Sequence, residues 1–427
     1  MKLLCTGDIH IGRRSTRLPA SVDSHAHSTG AAWTRIVQRA LAERVDVVAV
    51  SGDVIDQSSR YFEAFGTLER GLKKLSDAGV VTVLVSGNHD SEVLPLLINR
   101  LEAENVRLLG RGGSWERTTI ERDGVRLNID GWSFAREEQL TSPLATYNPP
   151  AGAGINVALL HADLDQTASR YGPISTGELR AQPGTFFLLG HIHKAALIRE
   201  AGGARAVYPG SPQALDPGEP GAHGIYLMEA RENQLDIRAI PLSTVRYERV
   251  QVSVEGIERV EDVDAQIAHE VKQRLIESAA ESTELRHMSC RVQLVGATRL
   301  HRTLGLQLFD RAADLNLERG NATASIESVH VATRPDRDLN VIAEGSGSAA
   351  VIARLLHELE ASTMAGGSER LLAEAARLVR EIERSGQYLE VLERPERDSD
   401  QRERYVRSEL NRSASLLLDE MLAQKES

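Results

Sequence analysis

Five short groups of aspartate, asparagine and histidine residues follow apolar runs along this chain. The groups are Asp8-Ile9-His10, Gly52-Asp53-Val54-Ile55-Asp56, Gly87-Asn88-His89-Asp90, the single His161, and Gly190-His191-Ile192-His193. Carboxylates, imidazoles and amide oxygens are ligands for Mn²⁺, Fe²⁺, Zn²⁺ and Mg²⁺, and together the groups offer more ligands than one ion needs. Two ions about 3.5–4 Å apart, bridged by one carboxylate, can hydrolyse a phosphoester by binding its oxygens and activating a water. The residue types therefore predict a two-metal hydrolytic site.

Each group taken alone also has an ordinary structural explanation. The groups around Asp53 and Asn88 suit turns or helix caps, and a single histidine such as His161 is more often a core or surface residue than a ligand. His191 and His193 are more informative, because alternate residues of an extended segment face the same side. The order of the five groups, and their common position after apolar runs, is what favours one shared site.

The apolar runs in the first part of the chain predict strands that alternate with helices. The strands are expected at residues 3–7, 45–50, 80–85 and 106–109, and the helices at residues 33–44, 61–75 and 93–101. This order predicts a parallel sheet with helical crossovers. Ligands of open α/β sheets bind at the carboxyl ends of the strands, so the sheet would bring the first three groups together.

A second sheet, mixed or antiparallel, is predicted between residues 118 and 240. Residues 118–120 and 125–132 form a hairpin signal around Asp123-Gly124. Apolar runs at 155–160 and 186–189 end at His161 and at Gly190, and short strand-like segments follow at 196–199, 205–208, 224–228 and 235–240. We expect this sheet to pack on the first, which gives an α/β two-sheet sandwich flanked by helices.

Two further domains are predicted after residue 245. Residues 246–335 read as strand 250–254, helix 263–278, strand 289–294, helix 300–315 and strand 325–331, a small α+β domain. Residues 336–427 read as charged helices with apolar faces. Those faces either pack on one another or on the preceding domain, or they dock another helical protein.

Charge and cysteine content limit the class of protein. A formal net charge of −11 over 427 residues argues against a broad basic nucleic-acid surface on this chain. A nucleic-acid substrate is still compatible with it, because bound ions or a partner would supply positive charge. Cys5 and Cys290 lie too far apart for a disulfide framework, which fits a reducing cytoplasm. With neither a signal peptide nor a run of about 18 apolar residues, we expect a cytoplasmic protein and no membrane.

The five groups, in this order, resemble the motif series of the calcineurin-like metallophosphoesterases. Within that superfamily the chain is most similar to the SbcD and YhaO-type DNA repair exonucleases, over roughly residues 1–240. The segments at 208–213 and 219–224 also resemble these nucleases. Gln57 and Asp90 stand where related protein phosphatases carry Arg and Glu, which argues against the phosphatase branch.

The resemblance implies a role for each residue of the groups. One metal would lie on Asp8, His10, Asp53 and His193, and a second on Asp53, Asn88, His161 and His191, with Asp53 as the bridge. His89 matches the family's catalytic histidine, which would stabilise the transition state or protonate the leaving oxygen. Asp56 stands where archaeal and eukaryotic relatives carry a second histidine, so it is either catalytic or a support for a metal ligand. Asp90 is expected to orient the turn or cap the following helix rather than to bind metal.

Several residues outside the groups have two explanations each. Arg13 and Arg14, together with Arg17, would contact substrate phosphates near the metals, or they lie on a solvated loop. His25 and His27 are expected in a polar loop rather than on a metal, because no strand precedes them. His223 is expected to be structural.

The function implied by the resemblance is a DNA exonuclease or endonuclease of repair and end processing. It would use two divalent ions, most often Mn²⁺, with Mg²⁺, Fe²⁺ or Zn²⁺ as alternatives. The family further implies a capping domain that restricts DNA access, an SbcC-type coiled-coil ATPase bound by the C-terminal helices, and a homodimer through the helices at 61–75 and 93–101. A nucleoid-associated location follows. Two alternatives remain open: a phosphodiesterase for small nucleotides or other phosphodiesters, and a DNA-end-binding scaffold with weak nuclease activity.

Overall fold

The computed structural model describes residues 1–56, 61–150, 152–200, 203–231, 234–307, 317–361, 367–385 and 399–426. The chain divides into two compact units. The first unit comprises Met1–Ser253, Glu261–Leu294 and Gln307–Ala332, and the second comprises Val254–Val260, Val295–Leu306 and Thr333–Ser427. The boundaries expected at 245/246 and 335/336 stay a prediction.

Strands dominate the chain up to residue 335 and helices follow. The strands are β1 (Lys2–Thr6), β2 (Val47–Val50), β3 (Val81–Leu84), β4 (Val106–Leu108), β5 (Trp115–Arg122), β6 (Val125–Trp132), β7 (Ile155–His161), β8 (Asp163–Leu164), β9 (Pro173–Ile174), β10 (Thr185–Gly190), β11 (Ala196–Glu200), β12 (Gly203–Tyr208), β13 (Gly224–Arg231), β14 (Gln234–Pro241), β15 (Val245–Ser253), β16 (His287–Val295), β17 (Ala297–Thr298), β18 (Leu317–Arg319), β19 (Ala322–Val331) and β20 (Arg334–Pro335). The helices are α1 (Thr29–Ala42), α2 (Tyr61–Asp77), α3 (Val93–Asn99), α4 (Thr176–Arg180), α5 (Val260–Glu281), α6 (His301–Gln307), α7 (Leu339–Glu344), α8 (Ser348–Ala361), α9 (Gly367–Ser385) and α10 (Ser399–Glu426).

The first sheet has the strand order β14-β13-β1-β2-β3-β4, with β1 to β4 parallel as expected. Its strands are apolar on both faces because both faces are covered. On one face Leu4 and Val48 pack with Trp33 of α1 and Leu68 of α2. The parallel register brings the carboxyl ends of β1, β2 and β3 to one rim.

The second sheet has the order β11-β12-β10-β7-β6-β5 and is mixed, as expected. β6, β7, β10 and β12 run parallel, and β5 and β11 are antiparallel edges. The β5–β6 hairpin turns at Asp123 and Gly124, whose φ angles of 52° and 75° are those of a tight hairpin turn. The two sheets share a core in which Leu3 and Val83 meet Leu127 and Leu188, so the sandwich prediction is confirmed.

One part of the sequence-based topology is wrong. The strands predicted at 224–228 and 235–240 were expected in the second sheet, but β13 pairs antiparallel with β1 of the first sheet and β14 pairs with β13. The reason is burial on both faces, since Leu227 joins the helix-covered core and Met228 joins the core between the sheets. An apolar pattern identifies such a strand without identifying the edge it pairs with.

The middle of the chain forms a third sheet with the order β15-β16-β19-β18, and α5 accompanies it. α5 buries Val263, Ile267, Val271 and Leu275, one residue per turn. The strand and helix order expected for an α+β domain is present. The helix expected at 300–315 is described only as α6, and residues 308–316 lie outside the described part.

The C-terminal helices of the second unit form their own small core. Ala353 and Leu356 of α8 pack with Ala414 and Leu418 of α10. Other apolar residues of these helices are exposed: Leu371 by 41%, Leu378 by 47%, Leu416 by 55% and Leu417 by 51%. Within the described residues, every helix is too short or too polar to cross a membrane.

Candidate metal centre

The first ligand candidates lie on the loops after β1 and β2, and their own backbone has an unusual conformation. Asp8, His10 and Asp53 have φ angles of 47°, 48° and 49°. L-residues rarely adopt this left-handed region, which costs about 1–2 kcal/mol per residue. Hydrogen bonds between the loops hold them there, from Asp8 N to Gly52 O at 3.1 Å and from His10 N to Asp53 O at 2.9 Å. The ligand positions are therefore set by backbone pairing.

Asp53 lies at the middle of the cluster and is buried. Its Oδ1 accepts a hydrogen bond from His89 N at 2.9 Å. Its Oδ2 lies 3.3 Å from His161 Nε2 and 3.8 Å from His10 Nε2. Burial alone would raise the pKa of Asp53, but the imidazoles of His161 and His10 outweigh it and the pKa is lowered. An ionised carboxylate thus reaches both halves of the cluster.

One half of the cluster is built by Asp8, His10 and His193, whose ligand atoms lie within 4.8 Å of one another. The Nε2 atoms of His10 and His193 are 3.0 Å apart. His193 Nδ1 lies 2.6 Å from Glu219 Oε1, and because a carboxylate only accepts, Nδ1 carries the hydrogen. Burial lowers the pKa of His10 to about 3. His10 is therefore a neutral imidazole. Burial alone would lower the pKa of His193, but the hydrogen bond to Glu219 and the nearby Asp8 raise it.

The other half is centred on His161, which is fully buried at the end of β7. Its Nδ1 donates to the Ser51 carbonyl at 2.9 Å. Its Nε2 faces two acceptors, Asn88 Oδ1 at 3.0 Å and Asp53 Oδ2 at 3.3 Å. Burial alone would lower the pKa of His161, but Asp53 and Asp8 raise it to about 9. Protonated imidazole is the form that satisfies these acceptors, so the position attracts positive charge.

An unsatisfied buried atom tests whether these residues fit metal ions. Asp8 Oδ2 is buried and has no hydrogen-bond partner among the described residues, and Asp8 lies in a ligand group with His10 and His193. Leaving a buried polar atom unpaired costs about 1–3 kcal/mol. Lone pairs that converge without donors are what divalent cations require. The side chains present therefore fit the expected ions.

His191 is placed differently from the other candidates. Its φ is 98°, and its backbone N–H donates to Asp8 Oδ1 at 2.9 Å. Its Nε2 lies 3.5 Å from Asp163 Oδ2, and its ring meets the His161 ring edge-on at 5.2 Å. Burial and the neighbouring His161 lower the pKa of His191 to about 4. It lies outside the three ligand groups found in the described chain, so its metal role stays a prediction.

His89 is the most exposed member of the cluster, with 39% of its side chain accessible. Its Nδ1 lies 3.2 Å from Asp56 Oδ1, and this hydrogen bond raises the pKa of His89. The buried Asp56 also lies 3.9 Å from His10 Nδ1. Asp56 therefore orients the His89 ring through Nδ1. His89, His10 and Asp53 also form one of the ligand groups within 4.8 Å.

Asp90 ties the loops together, as expected. Its Oδ1 accepts from Gly87 N at 2.8 Å and its Oδ2 accepts from Val54 N at 2.7 Å. Burial and the nearby Asp53 raise the pKa of Asp90 to about 7. The loops approach so closely that Gly52, with φ at 94°, has no room for a side chain: a Cβ would lie 2.7 Å from His161 Nδ1.

The arginines proposed as substrate contacts lie on the loop after β1. Arg14 is exposed, and its Nη1 lies 3.1 Å from His25 Nε2. Arg13 is partly exposed, and its carbonyl accepts from Thr29 N at 3.1 Å. Arg17 is exposed on the same loop. Their contact with a substrate stays a prediction.

Two further histidines have structural partners. His27 is buried, with Nδ1 2.8 Å from Thr244 Oγ1. His223 is buried, with Nδ1 2.9 Å from Ser211 Oγ. The ligand groups found in the described residues do not include His25, His27 or His223. His27 was expected in a flexible polar loop, but its side chain is buried and hydrogen-bonded to Thr244.

Sequence reasoning missed the groups that hold the imidazoles. The carbonyl of Ser51 orients His161 and the carboxylate of Glu219 orients His193. A backbone carbonyl leaves no signal in a sequence. Glu219 lies in a segment that resembles the nucleases, but its residue type alone indicates no particular contact.

Two protein families match different parts of this chain. Residues 1–195 match the calcineurin-like phosphoesterases. Residues 247–334 match the family described as the middle domain of metallophosphoesterase YhaO. The first match contains every ligand candidate. The second begins within β15 and ends within β20, and it includes α5 and α6.

Curated relatives resemble about half to two thirds of the chain. An uncharacterized metallophosphoesterase YhaO of Bacillus subtilis is 25% identical over 53% of this chain and 56% of its own length. The DNA double-strand break repair protein Mre11 of Methanopyrus kandleri is 25% identical over 59% of this chain and 57% of its own. That of Haloferax volcanii is 26% identical over 67% of this chain and 61% of its own. The chain spans less than two thirds of the length of these relatives.

Proposed function

We propose that this chain, which matches the calcineurin-like phosphoesterases over residues 1–195 and the YhaO middle domain over residues 247–334, is a metal-dependent nuclease that hydrolyses DNA phosphodiester bonds. The observation that supports this most is the convergence of buried carboxylates and imidazoles on Asp53 at one sheet rim. The names of the Mre11 relatives favour DNA as the substrate.

The proposed ligand sets follow the two halves of the cluster. One ion would be held by Asp8, His10, Asp53 and His193, and the other by Asp53, Asn88, His161 and His191. When bound, the ions would polarise a phosphate oxygen and lower the pKa of water. We propose Mn²⁺ as the resident ion, and the same oxygen and imidazole donors accept Mg²⁺, Fe²⁺ or Zn²⁺.

His89 is the residue we propose for proton transfer. Asp56 holds its Nδ1 at 3.2 Å and so fixes the direction of the ring. The other ring nitrogen, Nε2, would donate to the leaving oxygen of the substrate, a contribution of about 10²–10⁴ in rate. Arg13 and Arg14, on the loop after His10, would bind the phosphates that flank the scissile bond.

The remaining proposals concern partners and location. We propose that α8, α9 and α10 bind an SbcC-type coiled-coil ATPase, that residues 246–335 restrict access of DNA, and that α2 and α3 form a homodimer. A partner with a basic groove would compensate the net charge of −11 on this chain. The protein would act in DNA repair in the cytoplasm, at the nucleoid.

Cleavage assays test the substrate class. Linear duplex DNA, single-stranded DNA and a small phosphodiester are incubated with the chain and Mn²⁺, with and without the ATPase, and Asn88→Ala and His89→Ala serve as controls. We expect DNA cleavage that both substitutions remove. The acidic balance of the chain favours a second candidate, a phosphodiesterase for small substrates. Cleavage of only the small ester, with and without the ATPase, would reject the DNA nuclease in favour of that candidate.

A further inference from the structure

The two imidazoles of the segment after β10 lie near different carboxylates. His193 Nδ1 lies 2.6 Å from Glu219 Oε1, a short charge-assisted hydrogen bond. His191 Nε2 lies 3.5 Å from Asp163 Oδ2, too far for a comparable bond. Glu219 is therefore the stronger candidate for a residue that acts on the metal site through another side chain.

The Glu219 carboxylate is itself fixed at its second oxygen. Oε2 accepts a hydrogen bond from Leu215 N at 2.8 Å and lies 3.5 Å from Ser211 Oγ. Its side chain is only 15% exposed. A carboxylate anchored in this way cannot follow His193 if the ring turns, so it selects one ring orientation.

The consequence for His193 is a fixed tautomer. With the hydrogen on Nδ1, the lone pair is on Nε2, which lies 3.0 Å from His10 Nε2 in the ligand group with Asp8. The opposite tautomer would direct a lone pair at the carboxylate and a hydrogen into the ligand group. Carboxylates that bond the outer nitrogen of a metal-binding histidine typically change metal affinity by about 10–100-fold.

We propose that Glu219 is a positioning residue that fixes the tautomer and orientation of His193 for the ion held by Asp8, His10 and His193. This inference rests on the proposed metal centre. The loop between β12 and β13 would thus contribute to metal affinity at one of the two sites. At the other site, the Ser51 carbonyl orients His161.

Calorimetric titration of the metal-free full chain with Mn²⁺ tests the proposal. Glu219→Ala should weaken one site by about 10–100-fold and leave the other unchanged. Glu219→Gln keeps an acceptor oxygen and should restore part of the affinity. Asp216→Ala is the matched control, because Asp216 supports the same loop through Gly218 N at 2.7 Å and has no hydrogen bond to His193 in the described chain.

A second readout needs no metal. Nitrogen-15 NMR of labelled histidines distinguishes the two tautomers, and Glu219→Ala should remove one Nδ1–H signal while Asp216→Ala keeps it. If Glu219→Ala fails to fold, Glu219→Met, which keeps the bulk of the side chain without an acceptor oxygen, decides by the same two measurements. Unchanged Mn²⁺ affinity and an unchanged tautomer in a folded variant that lacks an acceptor at position 219 would overturn the inference alone. Absence of Mn²⁺ binding by the wild-type chain would overturn the proposed metal-dependent function as well.

Discussion

The metal centre and the C-terminal helices depart from ordinary burial in opposite directions. At the sheet rim, polar atoms such as Asp8 Oδ2 are buried without a partner among the described residues. On α9 and α10, apolar side chains such as Leu378 and Leu416 are exposed. Each departure costs stability unless something else satisfies it. The two departures motivate different proposals: cations for the lone pairs of the rim, and the apolar surface of a partner for the leucines.

The backbone conformation also distinguishes the two regions. Asp8, His10 and Asp53 lie in a left-handed conformation that the surrounding hydrogen bonds impose. The helices place their leucines by regular periodicity. Strain at the rim persists because the sheets determine it, and such strain is typical of functional sites. Substitutions at the rim should therefore change function first, and substitutions on the helices should change association.

The largest effect is expected from Asp53→Asn. Asparagine tolerates the left-handed conformation of Asp53, so the loop is retained while the bridging charge is lost. We expect a loss of DNA cleavage of at least about 10³-fold, as for other essential residues of a catalytic unit. Cleavage rates and Mn²⁺ titration are the measurements. A variant that keeps two ions and a tenth of the rate would show that Asp53 does not bridge.

The next effect separates chemistry from metal binding within the same loop. His89→Ala should lower turnover by about 10²–10⁴-fold and leave Mn²⁺ binding intact, because His89 is assigned to proton transfer. Asn88→Ala should weaken the second ion, because Asn88 Oδ1 faces His161 Nε2 at 3.0 Å. The pair serves as its own control. If His89→Ala loses metal as readily as Asn88→Ala, the assignment of His89 is wrong, and its place in a ligand group with His10 and Asp53 would explain why.

Much of the scaffold could be predicted from the sequence. Apolar runs separated by helical patterns identified β1 to β4 and the order of the crossovers, because burial on both faces leaves a strong local signal. The partner strand of β13 was not identified, because pairing along an edge depends on the whole core. The polar groups at strand ends identified the ligand candidates, and the structure brings Asp8, Asp53 and His161 into one group. The support from Ser51 and Glu219 depends on tertiary approach and has no local signal.

Metal removal should destabilise only the region around the sheet rim. At a free Mn²⁺ concentration about 100 times the dissociation constant, one site adds about 2.7 kcal/mol to the free energy of unfolding. Hydrogen exchange locates this gain, since protection reports local opening. We expect Mn²⁺ to slow exchange in the loops after β1, β2 and β3, with EDTA reversing it and Asp53→Asn abolishing it. Equal slowing in α8 and α10 would show that the two regions respond as one.

The smallest effect on the chain itself is expected on α9. Leu378→Lys changes an exposed residue and should alter the free energy of unfolding by no more than about 0.5 kcal/mol. Leu418→Ala, at a fully buried position of α10, is the matched contrast and should cost about 2–5 kcal/mol. Cleavage of a small phosphodiester should survive Leu378→Lys, because the ligand groups lie in the first unit.

Leu378→Lys should weaken association with the proposed coiled-coil ATPase. A charged ammonium in place of an apolar contact should weaken binding, measured by titration of the ATPase into the wild-type chain and the variant. Destabilisation of the chain as large as that of Leu418→Ala would mean that Leu378 contributes to packing within the chain. Packing within the chain would then explain the apolar face of α9. The proposal of a partner for the helices would fail, and the proposal of cations at the rim would stand.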